Sequence, residues 1–263
     1  MPAITAKDVK TLRDATGAGM MDSKRALEAN DGDIEVAAKW LREQGIIKSA
    51  GRTDRDNSQG AVAIASGDSS AALVELKCET DFVAKSTGFT EVLRDIADAV
   101  LADGEPGDAS HDAIDDLKVT LKENIELGTV VRIEAAPGNV LDAYLHMQDG
   151  RGVNGVLVEL AGGTPDQAHS VALHIAFAKP KHLSRDDVSA EAIEAERASF
   201  ENQTRNEGKP EQAIAKIVEG RVNAWVADQV LLEQKMIPEE KQPVRDALGD
   251  ATVVRFAQAV IGA

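Results

Sequence analysis

The chain has 263 residues, 43% of them hydrophobic but only 3% aromatic, so it can bury one or two cores built from Ala, Val, Leu and Ile. A net charge of −16 argues against a nucleic-acid partner, and a single cysteine, Cys78, excludes an intrachain disulfide and argues against a cysteine-built metal site. No apolar run is long enough to cross a membrane, and Met1-Pro2-Ala3-Ile4-Thr5 lacks the basic and apolar regions of a secretory signal, so the expected location is cytoplasmic.

The charge is unevenly spread. Residues 1–55 hold ten basic and nine acidic side chains, and the remainder holds 19 against 36, which marks the first stretch as a separate module. Within it, Thr5 and Asp8 form a capping-box pattern, and Ile4 and Val9 occupy the hydrophobic-staple positions. Val9 and Leu12 face inward until Thr16-Gly17-Ala18-Gly19 breaks the helix. Asp22 is expected to cap a second helix carrying Ala26 and Leu27. Gly32-Asp33 starts a third, with Ile34, Ala37, Ala38 and Leu41 on one face and Gly45 as its C′ residue. Three short helices around a small core look like a ubiquitin-associated-type domain over residues 1–48. The polar, aperiodic stretch 49–59 reads as a linker.

Two hairpin-plus-helix units follow. In the first, Ala61–Ile64 and Ala72–Leu76 flank a turn at Gly67-Asp68-Ser69-Ser70, and a helix carries Ile96-Ala97-Asp98-Ala99. In the second, Val140–Leu145 and Gly155–Leu160 flank a turn at Asp149-Gly150-Arg151-Gly152, and a helix carries Ile175-Ala176-Phe177-Ala178. Val-Glu-Leu closes the second strand of both, which suggests a duplication. Between the units, Ile114, Leu117, Leu121 and Ile125 predict an amphipathic helix ending at Gly128, then a strand over Val130–Ala135. Residues 188–228 read as two helices joined at Glu207-Gly208-Lys209-Pro210, with Ile214, Ile217, Val218, Val222 and Trp225 in a stripe on the second and Ile193 and Phe200 on the first. That stripe either packs within its own hairpin or leaves a partner or dimer surface. A last strand spans Ala251–Ala257. The expected fold is α+β: a three-helix module, a first core subdomain at 60–137, a second at 138–187 and 229–263, and the hairpin 188–228 inserted into the second.

Catalytic constellations are not evident. Phosphate-loop and nucleophile-elbow patterns are missing, and His169 and His174 are five apart, off the spacing of a helical metal pair. The chain is therefore expected not to be an enzyme and to need no cofactor. The segment that asks for a function is Glu75-Leu-Lys-Cys-Glu-Thr-Asp-Phe-Val-Ala-Lys85, where a strand ends and a surface connection follows. Phe82 beside Val83, between Asp81 and Lys85, either folds back over the sheet edge or serves as a binding residue. Thr80 or Asp81 can also act as an N-cap.

Those residues resemble the second signature of the elongation factor Ts family, and Leu12-Arg-Asp-Ala-Thr-Gly-Ala-Gly-Met-Met-Asp-Ser-Lys-Arg-Ala-Leu27 resembles the first. The likeness continues through Tyr144-Leu145-His146, Gly155–Val158, Ala178-Lys179-Pro180 and Gly208-Lys209-Pro210 to Val218–Arg221, nearly the whole chain. It implies a guanine-nucleotide exchange factor that binds elongation factor Tu in its GDP-bound and nucleotide-free forms. Thr80, Asp81, Phe82 and Val83 would disturb the partner's magnesium site, with Phe82 wedged between helices of its nucleotide domain. His146 would reach another domain of the partner, and Arg13, Met20, Met21 and Lys24 would contact the nucleotide domain. In the family's long form a helical module follows the final strand. Here the chain stops at Ala263, soon after Phe256, so no contacts are expected there. The hairpin is present although short members lack it, and homodimerisation through it stays open. A competing reading, resting on residues 1–47 alone, is an adaptor or chaperone that binds helices or nascent chains.

Overall fold

Thr5 and Asp8 cap the first helix reciprocally in the computed structural model, which describes residues 4–16, 18, 20–50, 55–237 and 242–262. Asp8 N donates to Thr5 Oγ1 at 3.2 Å and Thr5 N donates to Asp8 Oδ2 at 2.9 Å, and these bonds hold the Asp8 carboxyl below its ordinary pKa. Helices α1 (Ala6–Thr16), α2 (Met20–Ala29) and α3 (Ile34–Ala50) enclose Val9, Leu12, Ala26, Leu27, Ala37 and Leu41, with Ile4 stapled against them. Asp33 caps α3 by accepting from Glu35 N and Val36 N, both at 3.0 Å.

Two expectations in this module need correction. Asp22 is not a cap, because α2 already starts at Met20. It lies in the first turn, where its charge faces the positive end of the helix dipole, and it pairs with Arg25. Gly45 does not end α3, which continues to Ala50. A single helical glycine costs only about 1 kcal/mol, and no proline follows to stop the chain. Residues 49 and 50 of the stretch expected as a linker thus belong to α3, and Gln59 already belongs to β1. Gly17 and Gly19 of the expected breaker lie outside the described residues.

The body of the protein is two three-stranded antiparallel sheets. Strands β1 (Gln59–Ser66) and β2 (Ser70–Cys78) form a hairpin. A one-turn helix α4 (Asp81–Ala84) and helices α5 (Thr87–Asp103) and α6 (Asp108–Leu121) follow, and β3 (Glu126–Glu134) then pairs on the free side of β2. The second half repeats the plan. Hairpin β4 (Val140–Gln148) and β5 (Arg151–Ala161) is followed by α7 (Pro165–Ala178), and after a long excursion β6 (Thr252–Val260) pairs on the free side of β5. The excursion holds the hairpin α8 (Ala190–Asn206) and α9 (Glu211–Gln229), then the short α10 (Val244–Ala247). The apolar stripe of α9 packs within its own hairpin. Ile214, Val218, Val222 and Val226 are buried with Val188 and Val230, and Ile193, Phe200 and Trp225 lie against them.

Alternation along the strands builds four layers. One face of the first sheet (Ala61, Ala63, Ala72, Val74, Leu76) packs on α5 through Phe89, Leu93 and Ile96. One face of the second (Val156, Val158, Leu160) packs on α7 through Ala168, Val171 and Ile175. The opposite faces meet each other through Val62, Leu73, Ile133, Leu157 and Ala259. Glycine permits that meeting: a Cβ at Gly155 would run into Leu73 and Val62, and one at Gly152 into the Val62 carbonyl. The expected amphipathic helix is shorter than predicted. Lys122, at φ 60°, ends α6 in a left-handed cap, and Ile125 reaches the core from the following loop, so its helical spacing from Leu121 is fortuitous.

The repeated Val-Glu-Leu has a structural counterpart. Glu75 and Glu159 are both buried, and in both strands the pairing with the third strand shifts register at that point. Glu75 accepts from Thr129 N and Oγ1 at 2.9 and 3.0 Å. Glu159, 1% exposed, accepts from Ala136 N at 2.8 Å, Asn139 Nδ2 at 2.6 Å and Arg255 Nε at 2.7 Å. Burial works to raise the Glu159 pKa, but these bonds outweigh it and the net shift is downward. His174, also buried, donates through Nε2 to Gln234 Oε1 at 3.0 Å and accepts from Ile237 N, and burial lowers its pKa.

Replacing Glu159 by Ala leaves Asn139 and the Ala136 amide without an acceptor, and the expected loss is about 1–3 kcal/mol in denaturant unfolding. Because the folded-state pKa is depressed, the wild type keeps this contribution above the ordinary glutamate range and loses it as the pH falls through the lowered value. The difference between wild type and Glu159→Ala should therefore shrink in acid. A constant difference down to the acid transition would contradict the assignment.

Candidate partner-binding site

The segment after β2 is a capped turn of helix rather than an irregular loop. Thr80 is its N-cap: Oγ1 accepts from Val83 N at 3.3 Å and donates to Glu123 Oε1 at 2.6 Å. Glu123 also accepts from Glu79 N at 3.0 Å and Thr80 N at 3.1 Å, and Glu79 in turn accepts from Asn124 N at 2.7 Å. The end of β2 and the loop after α6 are thus locked by two glutamates: Glu123 holds the amides of Glu79 and Thr80, and Glu79 holds the amide of Asn124. Charged acceptors on backbone N–H groups make such bonds strong. Glu79 lies in the segment that the sequence marked, but nothing there pointed to its anchoring role, and nothing marked Glu123, which is far away in the chain and ordinary among 45 acidic residues.

One helical turn then sorts the side chains. Ala84 is fully buried and Val83 packs against the α5 core, so Phe82 points outward, 83% exposed. The alternative in which Phe82 folds back over the sheet does not occur, whereas the capping role weighed for Thr80 does. Asp81 accepts from Lys85 Nζ at 2.8 Å, and the bond holds its carboxyl below the ordinary range and raises Lys85. Lys85 also reaches Asp149 at 3.6 Å. Asp149 and Gly150 form the tight β4–β5 turn, with φ of 51° and 83°, the pair of positive angles that a two-residue hairpin needs. Beneath them the buried Arg151 donates to Gly60 O at 2.7 Å and Gln59 Oε1 at 3.1 Å, tying the second sheet to the first. An open cleft results, lined by Gln59, Glu79, Thr80, Asp81, Phe82, Lys85, Gln148, Asp149 and Arg151. Cys78 lies under it with its thiol on Thr80 O at 3.2 Å, and burial pushes its pKa up to about 12, leaving it unreactive at neutral pH.

The other expected residues fall in two places. Arg13, Met20, Met21 and Lys24 come together along one groove between α1 and α2, also lined by Val9 and Lys10, with Met20 and Met21 60% and 66% exposed. His146 is exposed near the end of β4, its ring stacked on Tyr144 with centroids 6.5 Å apart, on the same hairpin whose turn lines the Phe82 cleft. Sequence reasoning did not single out Phe177, which is 76% exposed on α7, so exposure alone does not distinguish Phe82. Its bonded base does. Among the described residues no three His, Cys, Asp or Glu side chains converge as metal ligands, and no helix is long and apolar enough to cross a membrane.

A bare aromatic side chain on a polar-anchored turn, with an apolar groove elsewhere, gives this α+β protein two exposed apolar surfaces of the kind found at docking sites. Comparison with known proteins makes this particular. The family described as Elongation factor TS matches residues 79–263. Over its full length the chain is 42% identical to Elongation factor Ts of Clavibacter michiganensis subsp. michiganensis, covering all of that protein. It is 44% identical to the Streptomyces ramocissimus protein of the same name, with both chains fully covered, and 40% identical to that of Mycobacterium ulcerans, of which it covers 99%. The chain belongs to the elongation factor Ts family.

The lock at Glu123 can be tested directly. In a Glu123→Ala protein the amides of Glu79 and Thr80 lose their acceptor, worth about 1–3 kcal/mol of local stability, so hydrogen exchange across residues 79–84 should speed up about tenfold or more while the sheets stay protected. Unchanged protection of that segment would remove Glu123 as its anchor.

Proposed function

We propose that this protein promotes exchange of GDP for GTP on elongation factor Tu, binding the GDP-bound and nucleotide-free forms in the cytoplasm during translation elongation. Membership of the elongation factor Ts family supports the partner. One observation supports the mechanism: Phe82 stands clear of the core on a turn fixed by Thr80 and Glu123. In this reading Phe82 wedges into the partner's nucleotide domain, Val83 and Ala84 root it, and Asp81 makes polar contacts beside it. The wedge shifts the partner's magnesium site. Magnesium demands near-ideal octahedral geometry from oxygen ligands, so displacing those ligands by about an ångström weakens a diphosphate held through the metal. A wedge that prefers the nucleotide-loosened state must weaken GDP by the same factor that GDP weakens the wedge. The exchange factor then needs no acid, base or cofactor of its own.

The groove holding Arg13, Met20, Met21 and Lys24 supplies a second contact on the nucleotide domain, and His146 a third on another domain of the partner. We take α1–α3 as a ubiquitin-associated-type module, residues 60–137 and 138–187 with 229–263 as two core subdomains, and 188–228 as an inserted hairpin. The closed cores around Leu12, Phe89, Leu160 and Val218 support that division.

Catalytic amounts of the protein should accelerate release of labelled GDP from elongation factor Tu. Phe82→Ala should reduce that acceleration about tenfold to a hundredfold, the range of an interface hot spot, without altering circular dichroism or unfolding. A folded Phe82→Ala protein with full activity would rule out the wedge. Replacing Met20 and Met21 together by Ala should act differently, weakening association about tenfold with little effect on the maximal release rate. An unchanged apparent affinity would exclude the α1–α2 groove as a contact.

A further inference from the structure

Strand β6 is the last strand of its sheet, so only one of its edges is paired. Ile261 N donates to Val153 O at 2.9 Å, which sets the phase of the antiparallel ladder. From there Ala259 and Ala257 turn their backbone groups toward β5, and Val260, Gln258 and Phe256 turn theirs outward. Among the described residues no backbone hydrogen bond reaches that outer edge. It forms the floor of a groove of about 870 Å³. One wall is the segment Lys179–Leu183, pinned by Lys181 N and His182 N to Gln229 O at 2.9 and 3.1 Å. Glu75, Lys77 and Thr129 of the first sheet form the other.

Basic side chains outnumber acidic ones four to two among the residues lining this groove, and the carboxylates and the arginine are engaged within the protein. Glu75 is bonded to Thr129, Asp187 to Ser184, and Arg255 to Glu159. Lys77, Lys179 and Lys181 have no ion pair among the described residues, in a chain of net charge −16. Lysines on an edge strand commonly guard it against pairing. Here they stand on the walls, and Phe256–Val260 carry no charge, so the edge itself is open.

We propose that this groove takes an extended acidic segment of a partner protein, added as a further strand on the outer edge of β6. Outward N–H and C=O groups supply backbone pairing, and the wall lysines select carboxylates. A phosphate backbone would satisfy the lysines but leave the alternating edge groups unused, which is why the geometry favours a polypeptide. The surface is separate from the Phe82 turn and does not depend on the exchange reading.

The test uses the full chain, labelled with nitrogen-15, and a blocked synthetic peptide of alternating Glu and Thr. Amide resonances of Phe256, Gln258 and Val260 should shift and gain exchange protection on titration, and added salt should weaken the effect. The matching Lys–Thr peptide should not bind. Val260→Pro removes an outward donor without breaking the β5 ladder and should abolish binding. Lys179→Gln with Lys181→Gln, which leaves the strand intact, should weaken it about tenfold. The proposal fails if the acidic peptide causes no shift at millimolar concentration. It fails equally if the Lys–Thr peptide binds as well, if the double lysine variant binds with unchanged affinity, or if a single-stranded oligonucleotide occupies the groove in place of the peptide.

Discussion

Two sheets share one apolar interface, and the placement of the Phe82 turn and its cleft depends on that contact. Leu73 and Val62 of the first sheet meet Leu157 and Ala259 of the second at a separation that Gly152 and Gly155 alone allow. Burying such side chains contributes on the order of 1.5–3 kcal/mol each, so the sheets cannot slide without a large loss. The close approach brings the β4–β5 turn beside the end of β2. Arg151 can then reach Gly60 and Gln59, and Lys85 can reach Asp149. A larger residue at either glycine would push the two hairpins apart and separate the Phe82 turn from its neighbours.

On that base, polar bonds do the fine positioning. Thr80 and Glu123 spend their hydrogen bonds on each other and on the backbone, and so a four-residue helix, too short to persist alone, keeps one conformation. Val83 and Ala84 are drawn inward and Phe82 is left outside. For the wedge proposed above this order matters, because a conformation established before binding adds no ordering cost to the encounter. Glu123 belongs to the loop after α6, and α3 of the first module lies against α6, with Arg42 on Asp116 at 3.0 Å. The small module therefore contacts the C-terminal half of the same helix whose following loop holds the Phe82 turn.

The two halves of the body also show how a short sequence repeat can carry structural meaning. Val-Glu-Leu places a glutamate at a register shift in the second strand of each sheet, and in both it is buried and bonded to the third strand, Glu75 to Thr129 and Glu159 to Arg255, with Glu159 also holding Ala136 and Asn139 of the β3–β4 connection. A buried carboxylate without such partners would be costly, so the bulge and the acceptor-hungry backbone come together.

Local patterns in the sequence were enough for the elements whose cause is local. The Thr5–Asp8 box, the helix start at Gly32-Asp33 and the stripe on α9 each depend on neighbours within a turn or on one buried face, and they appear as read, whereas the turn read over Asp149–Gly152 closes on Asp149 and Gly150 alone, with Arg151 and Gly152 already in β5. The motif around Thr80–Val83 and the resemblance it carries were legible in the same way. Asp22, Gly45 and Ile125 misled because helix ends are settled by where the chain must turn, and Lys122 stops α6 at a place that no periodicity marks. Whether Phe82 would cover the core or leave it could not be decided along the chain, since its anchor, Glu123, is 43 residues away from Thr80. Hydrogen bonds between distant segments, and the sheet contact that brings them together, are properties of the folded molecule, and they alone turned an ambiguous phenylalanine into an exposed one.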